Sequence, residues 1–407
     1  MYVFIVLYIY KLVEPTEENQ LTMYVESSTN QIRPYVVCAV LRGITFDKRR
    51  YKSFIDLQEK LHQNICRKRT YVAIGTHDLD TISNPFYYQA LEPNLINFVP
   101  LTENNNKSYE GKELLNYYRE NSSVKHLKSY TDIIYDSPVY PIIYDNNHNV
   151  LSMPPIINSK HSRIQMKTRN IFIECTGTDL TKANIVLDTI VTMFSEYCEI
   201  PFTIEPVTIV YKETGIIHKT PLLSHRSCDA LIKDIHGIIG VTIDPLEICK
   251  LCDRMQLGPS QYLEASSLQS VVDEVDAVTT TTGGGEVVVV ENMIRVQVPP
   301  TRSDILHAVD IIEDIAIAYG YNNIPLVIPS TQCFGAPLPI NQFCDLLRAE
   351  IARAGYMEML THGLCSTAEN FTYLRRPIDA AVTLSNPANV SIIISTTLLL
   401  ITKYNYI

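Results

Sequence analysis

Four carboxylates, Asp304, Asp310, Glu313 and Asp314, are spaced in a way that can support chemistry. They lie in PPTRSDILHAVDIIEDIAIAYGYNNIP, residues 299–325. On a helix, residues three and four apart share a face, and like charges at that spacing repel. A divalent cation such as magnesium would relieve the repulsion, because it prefers oxygen ligands and keeps several waters. The same pattern also suits a solvated acidic face, or partners for arginines on another chain.

A second set is more scattered. Thr178 and Asp179 close the string TGTD between a predicted strand and a predicted helix. Free amides at such a helix start can hold an anion or a carbonyl oxygen. Asp179 could equally be only the helix cap. Asn158, Ser159, His161 and Ser162 cluster after Pro154 and Pro155. His77 and Asp78 follow a short predicted strand over 71–74, and strand exits commonly carry binding groups or loop-stabilising ones. No nucleophile–base–acid triad is visible, so a positioned water is the preferred attacking group for any hydrolysis.

The elements that must position these groups are legible to differing degrees. Ile305, Val309, Ile312, Ala316 and Tyr319 form a stripe at helical period, with Ser303 or Asp304 as cap and Gly320 as terminator. Residues 32–43 read as a central strand, and 48–69 as a basic amphipathic helix. A hairpin is expected over 140–145 and 150–153. The strand 171–175 feeds a helix running to about Tyr197. A helix over 230–237, a strand over 238–243 and a helix over 244–255 follow. The Ser, Thr and Gly run ending in TTTTGGG, 279–285, reads as a flexible joint, and VVVV, 287–290, opens a strand. A helix over 338–354, a strand over 358–364, a short helix over 369–374 and a strand over 382–386 come last.

Composition sets limits. The chain has 407 residues, 46% of them hydrophobic, which is enough for two or three packed domains. A formal net charge of -10 excludes a general basic surface for nucleic acid. A role in nucleic-acid chemistry would therefore need a partner chain to carry much of the backbone contact. Cys249 and Cys252 form a lone CxxC pair among ten cysteines, so a structural zinc is not expected and reduced thiols are. Met1–Tyr10 is apolar but too short to span a bilayer, and it lacks signal-peptide flanks.

Long strings carry a family resemblance: IRPYVVCAVLRGI, DLQEKLHQNICRKRTYVAIGTHDLD, YPIIYD, the run LSMPPIINSKHSRIQMKTRNIFIECTGTDLTKANIVLDTIVTMFSEYC, the acidic segment above, and LSNP. The chain resembles the beta subunits of phenylalanine–tRNA ligase of the eukaryotic and archaeal cytosolic type. The resemblance implies an α+β, multidomain fold. It would comprise a remnant at 1–31, a mixed-sheet editing domain at 32–210, a small α/β domain at 225–327 with the acidic helix, and the start of a class II ligase catalytic-like domain at 337–407. It implies a cytoplasmic, membrane-free enzyme of two alpha and two beta subunits that charges tRNA(Phe) with phenylalanine. ATP would be the substrate, with Mg2+, at the alpha subunit. The beta chain would hydrolyse mischarged tyrosyl-tRNA(Phe). Asp304, Asp310, Glu313 and Asp314 match the family's acidic metal set, and Asp179 matches its editing aspartate. Thr178, Asn158 and His77 would shape that pocket. The family's N-terminal domain is mostly missing before residue 32, and its TTLLPG run appears as TTLLLI just before the end. The chain therefore reads as partial. A noncatalytic fragment that docks tRNA or another protein is the alternative.

Overall fold

A computed structural model describes residues 10–264, 291–328, 330–331, 334–359, 364–377, 382–384, 394–395 and 401–403. Most of the apolar start, the expected joint at 279–285, the valine run at 287–290, Cys333 and most of LSNP and TTLLLI lie outside these residues. The backbone forms two units, Met1–Pro325 and Leu326–Ile407.

The first unit is built on one large mixed sheet. Its strands are β1 (Lys11–Leu12), β2 (Thr22–Val25), β3 (Tyr35–Leu41), β4 (Val72–Asp78) and β5 (Phe86–Leu91). A short pair, β6 (Asn97–Phe98) and β7 (Tyr109–Glu110), stands apart. The sheet continues with β8 (Tyr140–Tyr144), β9 (Val150–Met153), β10 (Ile157–Asn158), β11 (Ile171–Gly177), β12 (Thr203–Tyr211) and β13 (Ile217–Thr220). The main path runs β10-β9-β8-β5-β2-β12-β3-β11-β4. Pairing is parallel where β2 meets β5 and β12, and antiparallel along the rest of this path.

β3 and β11 are continuous apolar runs because both of their faces are covered. Helix α4 (Leu180–Phe194) lies on one face and buries Val186, Leu187, Ile190 and Phe194. Helix α1 (Lys48–Gln63) adds Phe54 to the same core. A neighbouring core forms around α2 (Gly111–Glu120) and α3 (Lys128–Thr131).

The structure differs from the sequence reading at several points. Thr22–Val25 falls before the expected start of the large domain at residue 32, yet it is an interior strand between β5 and β12. Its buried Met23 and Val25 alternate with half-buried neighbours, but four residues are too few to show a period in sequence. β4 does not stop at residue 74. It runs to Asp78, and His77 pairs with Phe172 inside the sheet. α1 ends at Gln63, six residues before the expected end.

The rest of the first unit has its own core. β14 (Arg226–Leu231), β15 (Ser260–Leu263) and β16 (Met293–Val298) form a sheet. Helices α5 (Ile232–Ile239), α6 (Pro245–Arg254) and α7 (Ala308–Tyr319) bury Ile235, Ile248, Leu251, Ile311 and Ile315 with it. The helix expected over 230–237 is present as α5, shifted two residues onward by the end of β14, while the strand expected over 238–243 does not form. Gly240, at φ 79°, stops α5 in the left-handed conformation that glycine adopts most readily.

Among its described residues the second unit holds α8 (Pro339–Arg353) and the short strands β17 (Tyr356–Glu358), β18 (Leu364–Cys365), β19 (Val382–Thr383), β20 (Ile394–Ser395) and β21 (Ile401–Lys403). The strand expected over 358–364 is thus replaced by the end of β17 and the start of β18, and residues 360–363 are not described. Among the described residues, no helix is long and apolar enough to cross a membrane.

Candidate functional site

The two ends of the sheet path are β10 and β4, and the sheet curls until they nearly meet. Asn158 on β10 donates from Nδ2 to Thr76 O on β4 at 3.3 Å. The isolated bridge His77–Arg163 continues the seam, and the bridge Pro100–Ser159 ties the chain after β6 to the end of β10. Backbone pairing along the seam is incomplete, so side chains complete the exposed edge of β4. His62 Nε2 accepts from Ile74 N at 3.0 Å, and Gln58 Nε2 donates to Ile74 O at 3.1 Å.

A cavity of about 110 Å3 sits at this seam, lined by Gln58, His62, Arg69, Ser152, Pro154, Asn158 and Glu174 among others. It shares Gln58, His62, Arg69, Leu101 and Asn158 with an outer cavity of about 430 Å3, to which Tyr51, Glu59, Thr76 and Arg163 contribute. Small-molecule sites favour such concave mouths with a few converging polar groups.

Glu174 is the unusual group. It is the only acidic residue in the apolar strand IFIECTG and is 1% exposed. Its Oε1 accepts from Ser152 Oγ at 2.8 Å and lies 3.8 Å from His77 Nε2. Its Oε2 is buried and has no hydrogen-bond partner among the described residues. A buried acceptor left unpaired costs free energy, so this atom is suited to a donor brought by a ligand. His77 Nδ1 shares a hydrogen bond with Ser162 Oγ at 2.7 Å, which fixes the ring behind the carboxyl group.

Burial pushes His62 down to about 4, so the ring is neutral at pH 7 and can accept the Ile74 amide proton. His62 in turn, followed by Gln63 and Arg69, holds Glu59 down at about 2. Arg69 spans the wall, with Nη1 donating to Ile156 O at 2.9 Å and Nη2 3.5 Å from Glu59 Oε2.

Every residue named around the inner cavity falls within the span matched by the B3/4 domain model, residues 41–199. The tRNA synthetase B5 domain model matches residues 229–321. The phenylalanine–tRNA ligase beta subunit of Homo sapiens is 48% identical over 394 residues, 96% of this chain and 61% of that one. The cytoplasmic beta subunit of Arabidopsis thaliana is 47% identical over 379 residues, 93% of this chain and 58% of that one. A crystal structure of an N-terminal fragment of the phenylalanyl-tRNA synthetase beta-subunit from Pyrococcus horikoshii matches with a TM-score of 0.62 and 30% identity. That match covers 77% of this chain and 78% of the fragment. The chain belongs to the phenylalanine–tRNA ligase beta-subunit family. It spans about three-fifths of the length of these curated relatives.

Within this family member, the predicted pocket residues part company. His77 and Asn158 do lie beside the seam cavity or line it. Thr178 and Asp179 line neither seam cavity. Gly177 pairs with Val72, five rungs from the Phe172–His77 pair, a separation of roughly 17 Å along the strand. Asp179 caps α4 by accepting from Lys182 N at 3.0 Å, and Thr178 N donates to Tyr71 O at 2.9 Å. The helix-cap reading of Asp179 accounts for its position. Sequence reasoning missed Glu174, Ser152, Gln58, His62 and Arg69. Only Glu174 left a signal, as a lone charge inside an apolar strand.

The acidic residues of the beta-subunit B5 region are also dispersed. α7 starts at Ala308, after an N-cap at His307, so neither Ser303 nor Asp304 caps it. Asp310 accepts from Leu306 N at 2.7 Å and His307 N at 2.8 Å, and these amides hold its pKa below the ordinary carboxyl value. Glu313 is exposed and Asp314 is buried, because adjacent helical residues point about 100° apart. Arg302 already serves the other two. Its Nη2 donates to Asp304 Oδ2 at 2.7 Å and forms an ion pair of 2.7 Å with Asp314 Oδ2. Among the described residues, no group of three or more His, Cys, Asp or Glu is arranged to hold a metal ion. As arranged, the four carboxylates do not fit a shared divalent cation.

Proposed function

We propose that the chain acts as a beta subunit of phenylalanine–tRNA ligase and that its seam cavity hydrolyses tyrosyl-tRNA(Phe). The observation that carries this reading is the buried, unpartnered Oε2 of Glu174 in a cavity lined otherwise by apolar walls and a few polar groups. A tyrosine ring entering the cavity can donate its hydroxyl proton to this oxygen. Phenylalanine has no such donor and would leave the carboxyl group unsatisfied. Sites of this kind reject the analogue lacking the hydroxyl by roughly four orders of magnitude. Correctly charged tRNA is thereby spared.

The ester would then lie toward the outer cavity, past Asn158 and Arg69. Water attacks the carbonyl carbon, and the negative charge that passes to the carbonyl oxygen would be stabilised by the fixed charge of Arg69. Collapse breaks the acyl C–O bond and releases tyrosine and the terminal ribose hydroxyl of the tRNA, which takes the proton the water gives up. Leu101 and Ile164 in the outer wall help to exclude bulk water.

Charging is assigned to an alpha partner, in a complex of two alpha and two beta subunits acting on tRNA(Phe) in the cytoplasm. ATP and its magnesium would bind at the alpha subunit, not at the acidic helix. The sheet region 11–220, the region 226–325 and the region 337–407 then divide into editing, connecting and alpha-facing roles. The test is deacylation of tyrosyl-tRNA(Phe) by the assembled enzyme with wild-type chain and with Glu174→Gln. Hydrolysis that is absent in the wild type, or unchanged in the variant, overturns the reading.

A further inference from the structure

Between α1 and β4 the backbone takes an uncommon path. Arg67, Lys68 and Arg69 have φ values of 48°, 53° and 65°, three successive left-handed residues with none a glycine. Side chains disfavour this conformation because Cβ crowds the backbone carbonyl oxygen. A segment held this way needs an external clamp.

Arg33 supplies it. The residue is 1% exposed, and its guanidinium meets four backbone carbonyls. Nη1 donates to Arg69 O at 3.3 Å and Thr70 O at 3.1 Å. Nη2 donates to Tyr71 O at 3.4 Å and Thr176 O at 2.9 Å. Arg33 itself is anchored through its own carbonyl, which accepts from Tyr88 OH at 2.7 Å. The three successive carbonyls at 69–71 thus point inward at one fully buried cation. The side chain of Arg69 is thrown the other way, into the wall shared by both cavities. There it lies 4.3 Å from the centre of the Tyr130 ring and donates to Ile156 O, while its buried Nε has no hydrogen-bond partner among the described residues. An unpaired donor in a cavity wall suits an acceptor oxygen of a ligand.

We propose that Arg33 is a positioning residue: it clamps the left-handed 67–69 turn and so fixes the Arg69 guanidinium where it meets the ester or terminal phosphate oxygens of an aminoacyl-tRNA. The inference rests on the editing reading given above. Arg33 never touches substrate, since it is enclosed by backbone on the far side of the turn.

The experiment is a double-mutant cycle in the assembled enzyme with tyrosyl-tRNA(Phe). Arg33→Lys, Arg33→Met and Arg69→Met are each expected to lower kcat, the methionine variants by about 100-fold, the scale of a misplaced positioning group. The Arg33→Met/Arg69→Met pair should be no worse than either alone. Adding Arg67→Gly and Lys68→Gly to either Arg33 variant should restore at least about tenfold, because glycine holds the turn without a clamp. Where Arg33→Met does not fold, Arg33→Lys carries the same comparison. Wild-type rates in a folded Arg33 variant, losses that multiply with Arg69→Met, or failure of the glycine pair to rescue would each overturn the proposal. Should the wild type not hydrolyse the ester, the editing reading fails. The clamp is then read by hydrogen exchange of residues 66–72, which must lose protection in Arg33→Lys and regain it with the glycine pair.

Discussion

Glu174 and Gly75 face each other across the β4–β11 pair so closely that a Cβ on Gly75 would stand 2.0 Å from Glu174 Oε1. The carboxyl group lies flat over the one residue in that strand without a side chain. The same added carbon would come within 3.0 Å of His77 Nε2. Glycine is required here by close approach, not by its backbone angle.

Gly75→Ala therefore tests the placement of the carboxyl group without removing it. The methyl must push Glu174 away from Ser152 and His77, and overpacking of this kind typically costs about 1–3 kcal/mol. Tyrosyl-tRNA(Phe) hydrolysis is expected to fall by at least about tenfold, while urea denaturation shows a folded protein. An alanine variant with the wild-type deacylation rate would mean that the carboxyl position does not matter.

Glu174→Gln should separate recognition from folding. The amide keeps the shape but loses the charge that strengthens an accepted hydrogen bond, a difference of about 2 kcal/mol. Tyrosyl-tRNA(Phe) hydrolysis should drop by roughly 30-fold, with little change in the slow rate on phenylalanyl-tRNA(Phe). The ratio of the two rates is the measurement, and an unchanged ratio would remove Glu174 from recognition.

How much of this was legible in the sequence depends on how local the signal is. β3, α4 and α6 could be read because their apolar runs, helical stripes and caps are complete within each segment. The site is the opposite case. Gln58, Arg69, Ser152, Asn158 and Glu174 come from four separate stretches of the first unit, and only the curling of β10 toward β4 brings them to one cavity. His77 looked like a loop residue because GTHD resembles a turn. In the fold it sits inside a strand, with Ser162 on the neighbouring segment holding its Nδ1 and Glu174 facing its Nε2. Asp179 was drawn into the site by its position after a strand, whereas its carboxyl group is used locally as a cap. The family could be recognised because long strings preserve it even where individual roles are misplaced.

His62 predicts a pH dependence. Its folded value of about 4 lies below the ordinary 6.5, so the unfolded chain binds the proton more readily. The contribution of His62 is complete above about pH 6.5 and declines as the pH falls from there toward 4, while Asp188, raised to about 7 by burial, contributes a change of opposite sign across the same window. The His62 effect is on the order of 3 kcal/mol for a ring this deeply buried. His62→Gln keeps an acceptor for Ile74 N, so the difference between wild type and variant should carry the His62 slope in that window. The check is a series of urea titrations between pH 4 and 7.5. The low value of Glu59 adds a separate loss only below about pH 4.5, and because His62 is its largest cause this loss should be smaller in His62→Gln than in the wild type.

Arg302 predicts what holds the acidic region together. Its guanidinium bridges Asp304, the buried Asp314 and the carbonyl of Met255 at the end of α6, the last at 3.2 Å. Hydrogen bonding to Asp304, followed by Asp314, raises its pKa above the ordinary value, so it stays charged at any working pH. Arg302→Met leaves Asp314, 6% exposed, with a buried charge and no cation beside it. Breaking such a pair costs about 3 kcal/mol, and α6 loses its polar link through Arg302 to α7, leaving only their shared apolar core. If the arginine is the resident cation, millimolar magnesium should leave the wild-type melting temperature unchanged and raise that of Arg302→Met, where the vacated carboxylates can take an ion. A wild-type protein stabilised by magnesium and destabilised by a chelator would instead mean that the carboxylates rearrange around a metal and release Arg302.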